Sequence, residues 1–273
     1  AVCALLNFWI VVENAMHLDA LLNATLERPL SVWLGLDSGM HRLGLDANEL
    51  DSYLSALNES DNVQGEIVLA SHFACADELD NPFTNQQIST FRAAIKHLDN
   101  PTSLANSAGI MAWPDCHGDW VRPGYMLYGN SPLDRDHPSA EALQPVMTLK
   151  SAVISVREIR EGESVGYARS WQAEQPSKVA TVAMGYGDGY PRHAPNGTPV
   201  LVNGQLCKLA GRVSMDMITV DVSDIKDVAI GDEVVLWGEG LSVNTVADSA
   251  GTIGYELLTR MPMRTRREYV SAT

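Results

Sequence analysis

Apolar and polar positions along the chain follow two regimes. Up to about residue 143, short apolar runs alternate with stretches of helical spacing. Residues 7–13 read as a strand and 15–25 as a helix with Asn14 at its N-cap. Residues 31–36 read as a strand, and 48–57 as a helix with Asp46 as N-cap. Residues 63–70 form a continuous apolar run, as in a buried strand, and 84–97 a helix with Thr84 at its start. Residues 102–105 and 125–128 complete the series as short strands. From residue 144 onward the pattern changes. β-Branched runs recur at 147–156, 180–184, 199–202, 218–222 and 233–236, with a hairpin signal at Asn203-Gly204 and one short helix at 243–250.

Strands separated by helices imply βαβ units and a parallel sheet, in which ligands sit at the C-terminal strand ends. Three of the strands run into polar or Gly-rich turns: Asp37-Ser38-Gly39, Ser71-His72-Phe73 and Asn106-Ser107-Ala108-Gly109. The site is expected there. The organisation is therefore α/β plus β, with domains at 1–143 and 144–273 joined by a linker over 132–145. A complete (β/α)8 barrel takes roughly 250 residues. The first domain is much shorter, so it is expected to be a different open sheet or a partial barrel, with open edges and an exposed apolar interior.

Composition narrows the function classes. Hydrophobic residues make up 45% of the 273, enough for a substantial core. The net charge of −15 argues against a nucleic-acid or anionic-membrane surface, and an anionic substrate would need local Arg or Lys groups. The four cysteines, Cys3, Cys75, Cys116 and Cys207, show neither a CxxC pair nor metal-ligand spacing. This points to a reduced, cytoplasmic protein without disulfides or a metal site.

Five blocks then carry a resemblance. Residues 33–44, WLGLDSGMHRLG, resemble the alanine racemase pattern W-[LM]-K-[VL]-D-[ST]-G-M-x-R-L-G. Residues 71–78, SHFACADE, resemble S-H-F-A-x-A-D-E. Asn106-Ser107-Ala108 followed by 120–129, WVRPGYMLYG, is similar to N-S-A…W-V-R-P-G-I-x-L-Y-G. Residues 184–192, MGYGDGYPR, and 211–216, GRVSMD, complete the set in order along the chain. By this resemblance the chain is identified as a member of the bacterial alanine racemase family. It implies a partial (β/α)8 TIM-type barrel followed by a β-rich C-terminal domain. The implied activity is pyridoxal 5′-phosphate-dependent interconversion of L-alanine and D-alanine, supplying D-alanine for peptidoglycan.

The resemblance also assigns roles. Racemisation removes the Cα proton from one face and returns one to the other, so it needs an electron sink and two acid/base groups. In the family these groups are the Schiff-base lysine and a tyrosine, which maps to Tyr186. An ordinary tyrosine has a pKa of about 10, so the role needs tuning, and His72 is the implied neighbour. Arg122 resembles the arginine that donates to the pyridine nitrogen. As a permanent cation it leaves that nitrogen unprotonated and the ring a weaker sink. Arg42 and the N–H of Met215 would hold the substrate carboxylate. Ser107, Gly124, Tyr125 and Tyr255 map to the phosphate cradle, and Asp77 and Arg212 to the substrate entryway. Tyr186 and Met215 would reach the site of the opposite subunit in a homodimer with shared sites, whereas Tyr255 would serve its own.

Two departures stand out. The family motif V-x-K-A-N-A-Y-G-H-G, which carries the cofactor lysine, does not occur, and none of Lys96, Lys150, Lys178, Lys208 and Lys226 has that context. Gly35 stands where many relatives have a lysine, often carbamylated, that supports the arginine corresponding to Arg42. The chain by itself is thus expected to lack efficient activity. Two alternatives follow: a non-catalytic fragment or pseudoenzyme retaining the scaffold, or a racemase of a related amino acid such as serine.

Overall fold

The structure is a computed structural model that describes residues 1–133 and 137–270. The chain divides into two compact units, the described residues of 1–127 and 131–143, and those of 128–130 and 144–270.

The first unit runs α1 (Val2–Leu6), β1 (Ile10–Val12), α2 (Ala15–Leu22), β2 (Val32–Gly35), α3 (Leu50–Asn58), β3 (Val68–Ala70), α4 (Phe83–Ile95), β4 (Thr102–Ser103), α5 (Ser107–Ala112) and α6 (Pro138–Glu141). The four strands are parallel and lie in sequential order. That order, with a helix following each strand, is the pattern of a (β/α)8 barrel and not of a doubly wound sheet. Asn14 caps α2 by accepting the His17 N–H at 2.9 Å. Asp46 accepts the Asn48 N–H at 2.9 Å, and Glu49 returns to the Asp46 N–H at 3.2 Å, a reciprocal capping box. On one face of the sheet Val12, Val32, Leu34 and Leu69 are buried in one core with Leu54, Leu57, Ile88 and Phe91 from α3 and α4. The opposite face carries Trp9, Val11 and Trp33. There Trp120 meets Trp9 and Trp33 edge-on at 5.3 and 5.9 Å, while Trp9 and Val11 each stay 48% exposed.

Several segments differ from the sequence expectation. Residues 125–128 are a single 3-10 turn, Tyr125–Tyr128, and not a strand. The N–H groups of Gly124 and Met126 both turn toward the Ser107 hydroxyl, and Leu127 N–H bonds to Gly124 C=O, which curls the segment. The first strand is shorter than residues 7–13, because Asn7, at φ 57°, caps α1 and the Phe8 N–H still bonds back to Cys3 C=O. Only Val68–Ala70 of the 63–70 run pairs as strand, and Val63 makes a lone bridge to Leu30. Helix α4 starts at Phe83, which leaves Thr84 buried inside it. The expected linker over 132–145 contains α6, and residues 134–136 of it lie outside the described residues.

The second unit holds β5 (Leu149–Ile159), β6 (Ser164–Val165), β7 (Trp171–Gln172), β8 (Ser177–Val182), β9 (Pro199–Val202), β10 (Gln205–Leu209), β11 (Ile218–Asp221), β12 (Glu233–Trp237), α7 (Val243–Ala250) and α8 (Gly254–Thr259). Six strands close an antiparallel barrel in the order β10-β11-β8-β5-β12-β9. Asn203 and Gly204, with φ of 49° and 73°, make the two-residue turn between β9 and β10 that their sequence announced. Val182, Val200, Val202, Val220 and Trp237 fill the core. Closure leaves none of the six strands with an open edge. No helix among the described residues is long and apolar enough to cross a membrane. All four cysteines are free.

Candidate active site at the strand ends

In the first unit, a cavity of about 160 Å3 opens at the C-terminal ends of the parallel strands. Its wall includes Glu13, Trp33, Gly35, Arg42, His72 and Arg122. Three of the residues expected at the site, Arg42, His72 and Arg122, are therefore brought together from segments 30 to 80 residues apart.

Arg122 is half-buried and fixed. One guanidinium nitrogen donates to the Ser103 carbonyl at 2.9 Å and to its hydroxyl at 2.7 Å. The other donates to the Ser71 carbonyl at 2.6 Å and the Leu104 carbonyl at 3.3 Å. Its own N–H bonds to Ala105 C=O, so backbone and side chain both tie it to the strand ends. Among the described residues no carboxylate pairs with it, and burial lowers its pKa from the ordinary value. Its positive charge therefore remains available to the cavity.

His72 follows β3 immediately. Desolvation at the cavity wall and the positive charges of Arg122 and Arg42 hold its pKa below the ordinary 6.5, so its imidazole is neutral at neutral pH. Its backbone is pinned by Gln87 of α4, which is fully buried. Gln87 Nε2 donates to the His72 carbonyl at 3.0 Å and to the Ser38 hydroxyl at 3.2 Å, and its Oε1 accepts the Ala74 N–H at 2.9 Å. Ser38 and Ser71 share a hydroxyl–hydroxyl bond of 2.7 Å. One glutamine thus ties the turns after β2 and β3.

Arg42 is presented by a loop closed at its base, where Asp37 N–H bonds to Leu45 C=O and Leu45 N–H to Gly35 C=O, both at 2.9 Å. Inside it, Asp37 accepts the N–H of Gly39 at 2.9 Å, the N–H of His41 at 3.0 Å and the His41 ring at 2.7 Å. Burial pushes the Asp37 carboxyl up, but these donors outweigh it and hold the pKa below the ordinary carboxylate value. Asp37 is thus committed to shaping the loop, while Arg42 is exposed at its tip.

Ser107, Gly124 and Tyr125 form a second group in the same unit. The buried Ser107 hydroxyl accepts the Gly124 N–H at 3.0 Å, and open space lies beside Gly124. Tyr125 is buried. Asp77 is exposed and does not line the cavity.

The remaining expected residues lie in the second unit. Tyr186 and Met215 sit side by side there, since Tyr186 N–H bonds to Ser214 C=O at 3.0 Å and Gly187 N–H to Met215 C=O at 2.8 Å. A side chain on Gly185 would run into the Met215 carbonyl, so the crossing depends on that glycine. Arg264 braces the pair through Asp188 at 2.8 Å and Asp216 at 2.6 Å. Tyr255 is in the first turn of α8, and Arg212 lines a separate cavity with Arg192 and His193. Sequence reasoning missed Gln87 and Glu13. Gln87 left a faint trace, a polar residue within the buried stripe Thr84, Gln87, Ile88 and Phe91 of α4. It also passed over Tyr167, which is 67% exposed and flanked by Gly166, Ala168 and Arg169, all at positive φ (74°, 56° and 50°).

Comparison with known proteins gives matches to two family models: "Alanine racemase, N-terminal domain" over residues 1–132 and "Alanine racemase, C-terminal domain" over 146–269. A protein of Photobacterium profundum named alanine racemase is 49% identical over 266 residues, which covers 97% of this chain and 74% of the relative. The crystal structure of biosynthetic alanine racemase from Pseudomonas aeruginosa superposes with a TM-score of 0.94 at 49% identity, covering 99% of this chain and 75% of that one. The structure of alanine racemase from Bartonella henselae with covalently bound pyridoxal phosphate gives a TM-score of 0.86 at 30% identity, covering 98% and 75%.

Proposed function

Because the chain belongs to the alanine racemase family of pyridoxal-phosphate-dependent isomerases, we propose that its cavity takes alanine and pyridoxal 5′-phosphate and serves exchange of the alanine Cα proton. The observation that carries this reading is the convergence of Arg42, His72 and Arg122 on one cavity at the strand ends.

The residues present fit the non-covalent part of the cofactor. Arg122, a fixed donor without a carboxylate partner, suits a pyridine nitrogen as acceptor. Open space beside Gly124 and the Ser107 hydroxyl, which accepts the Gly124 and Met126 N–H groups and keeps its own O–H to donate, suit a phosphate. Arg42 suits the substrate carboxylate, and His72 stays neutral, so it adds no third positive charge. Bound pyridoxal phosphate supplies the electron sink that makes the Cα proton removable. The covalent part has no counterpart in this cavity, because none of the five lysines lines it.

For the second acid/base group two tyrosines compete. Tyr186 is the residue given by the resemblance and is 41% exposed. Tyr167 is favoured by its backbone, because consecutive left-handed residues are costly and cluster at functional sites. We place either tyrosine opposite a partner's cavity in a homodimer that supplies D-alanine in the cytoplasm.

Equilibrium dialysis against pyridoxal phosphate, followed by borohydride reduction and peptide mapping, tests the reading. Saturable binding that Arg122→Ala removes, without stoichiometric labelling of any of the five lysines, is expected. No saturable binding, or a full label on one of those lysines, overturns it.

A further inference from the structure

Gly35 has no left-handed φ, so its backbone does not demand glycine. Space does. In the parallel pairing of β1 and β2, Val12 stands opposite Leu34, which brings Glu13 beside Gly35 one step on. A Cβ on Gly35 would lie 2.8 Å from Glu13 Cγ and 3.2 Å from its Oε1. Glu13 therefore occupies the space that a side chain at position 35 would take, and its side chain would have to swing aside to admit one.

The charges around the cavity show what this does. Its lining holds two carboxylates, Glu13 and Asp37, and two guanidinium groups, Arg42 and Arg122. Asp37 is committed to Gly39 and His41, and both terminal nitrogens of Arg122 to Ser71, Ser103 and Leu104, which leaves Arg122 its Nε–H. Among the described residues, Glu13 and Arg42 are left without a hydrogen bond or ion pair. Glu13 is half-buried in the cavity lining, and Arg42 is exposed on its loop with its side chain unanchored. Opposite charges facing a partly desolvated cavity attract. A guanidinium has five N–H donors, so one edge can pair with a carboxylate while another remains for a second.

We propose that Glu13 is the positioning residue for Arg42: with no side chain at Gly35, its carboxylate takes the space there and holds the Arg42 guanidinium for an incoming amino-acid carboxylate. This rests on the reading of Arg42 as the carboxylate-binding group. Rotation of the unanchored Arg42 side chain makes the pair, and the lack of bulk at Gly35 is what lets Glu13 serve it.

Propionate, which carries the carboxylate but no amine, is the probe, read by fluorescence of Trp33 in the cavity wall with no cofactor present. Arg42→Ala is expected to abolish binding. Glu13→Gln and Gly35→Ala are each expected to weaken it by about fivefold, the scale of a partly exposed ion pair. Glu13→Asp should recover most of the loss, and Glu13→Gln combined with Gly35→Ala should be no worse than either alone, because both remove one interaction. All variants should keep the wild-type melting temperature to within a few degrees. Wild-type propionate affinity in Glu13→Gln, or losses that multiply in the double variant, overturns the proposal while leaving Arg42 in its role. Unchanged binding in Arg42→Ala overturns that role and the proposal with it.

Discussion

The Arg122 guanidinium donates to the Ser71 carbonyl at 2.6 Å across 51 residues of sequence. The bond joins the segment after β4 to the end of β3, and the same side chain closes on Ser103 of β4. The arginine proposed to meet the cofactor is thereby also the clasp between two strand ends. Four acceptors at fixed positions demand a planar fork, which a lysine ammonium cannot supply. Arg122→Lys should therefore lower both stability and cofactor affinity. Losing two charge-assisted bonds at about 1.5–3 kcal/mol each predicts a loss of roughly 3 kcal/mol or more before relaxation. Urea denaturation read alongside pyridoxal-phosphate dialysis checks it, and a variant as stable as the wild type would show that the clasp is dispensable.

His72 carries a prediction about pH. Its pKa is lowered by desolvation first and then by Arg122 and Arg42. The unfolded chain, titrating near 6.5, binds the proton more readily than the folded one, so stability falls as pH drops through 6.5 toward the folded value and is fully present above 6.5. Arg42 is exposed on a loop tip, and its removal leaves the fold intact. Arg42→Ala should move the His72 midpoint upward, toward 6.5, in a histidine NMR titration. A midpoint that stays put would mean that Arg42 points away from the imidazole in solution.

Gln87 shows why part of the site was not legible in sequence. Arg42, His72 and Arg122 could be found because each sits in a motif block, and the first two also follow β2 and β3, where a parallel fold places its ligands. Gln87 sits in mid-helix, where a glutamine reads as solvent-facing, and only the packing of α4 against the turns after β2 and β3 turns it inward. Glu13 was hidden for a different reason, since its partner at position 35 is the absence of a side chain. The 125–128 segment was misread because aromatic and apolar residues suit a strand, while the Ser107 hydroxyl that curls it lies 17 residues back.

Gln87→Leu keeps the bulk of the side chain but takes their partner from the part-buried Ala74 N–H and His72 carbonyl, while the Ser38 hydroxyl keeps its bond to Ser71. At about 1–3 kcal/mol for each unsatisfied group, a destabilisation of roughly 3 kcal/mol is expected. The same change should broaden the His72 signals, because its backbone anchor is gone. Gln87→Glu retains the Ala74 acceptor and loses the donor, so its stability should fall between those of the wild type and the leucine variant. A leucine variant that melts like the wild type would place the anchoring of these turns elsewhere.

The two tyrosines are separated by asymmetry. A two-base racemisation assigns one group to each face of the Cα carbon, so removing one group slows proton removal from one enantiomer far more than from the other. General acid–base groups contribute about 10²–10⁴-fold. In the racemising holoenzyme, Tyr167→Phe should reduce solvent-deuterium exchange into one alanine enantiomer by that order and spare the other. Tyr186→Phe should act on both alike, since Tyr186 is held against Met215 by the backbone bonds to Ser214 and Met215 and shares their position. If the selective loss instead follows Tyr186→Phe, the strain around Tyr167 has a structural origin and the role belongs to Tyr186. Ala168→Gly completes the test, because it relieves the left-handed strain next to Tyr167 without touching either hydroxyl. If that strain is kept to aim the Tyr167 hydroxyl, the glycine variant should gain stability and lose the same enantiomer-selective exchange.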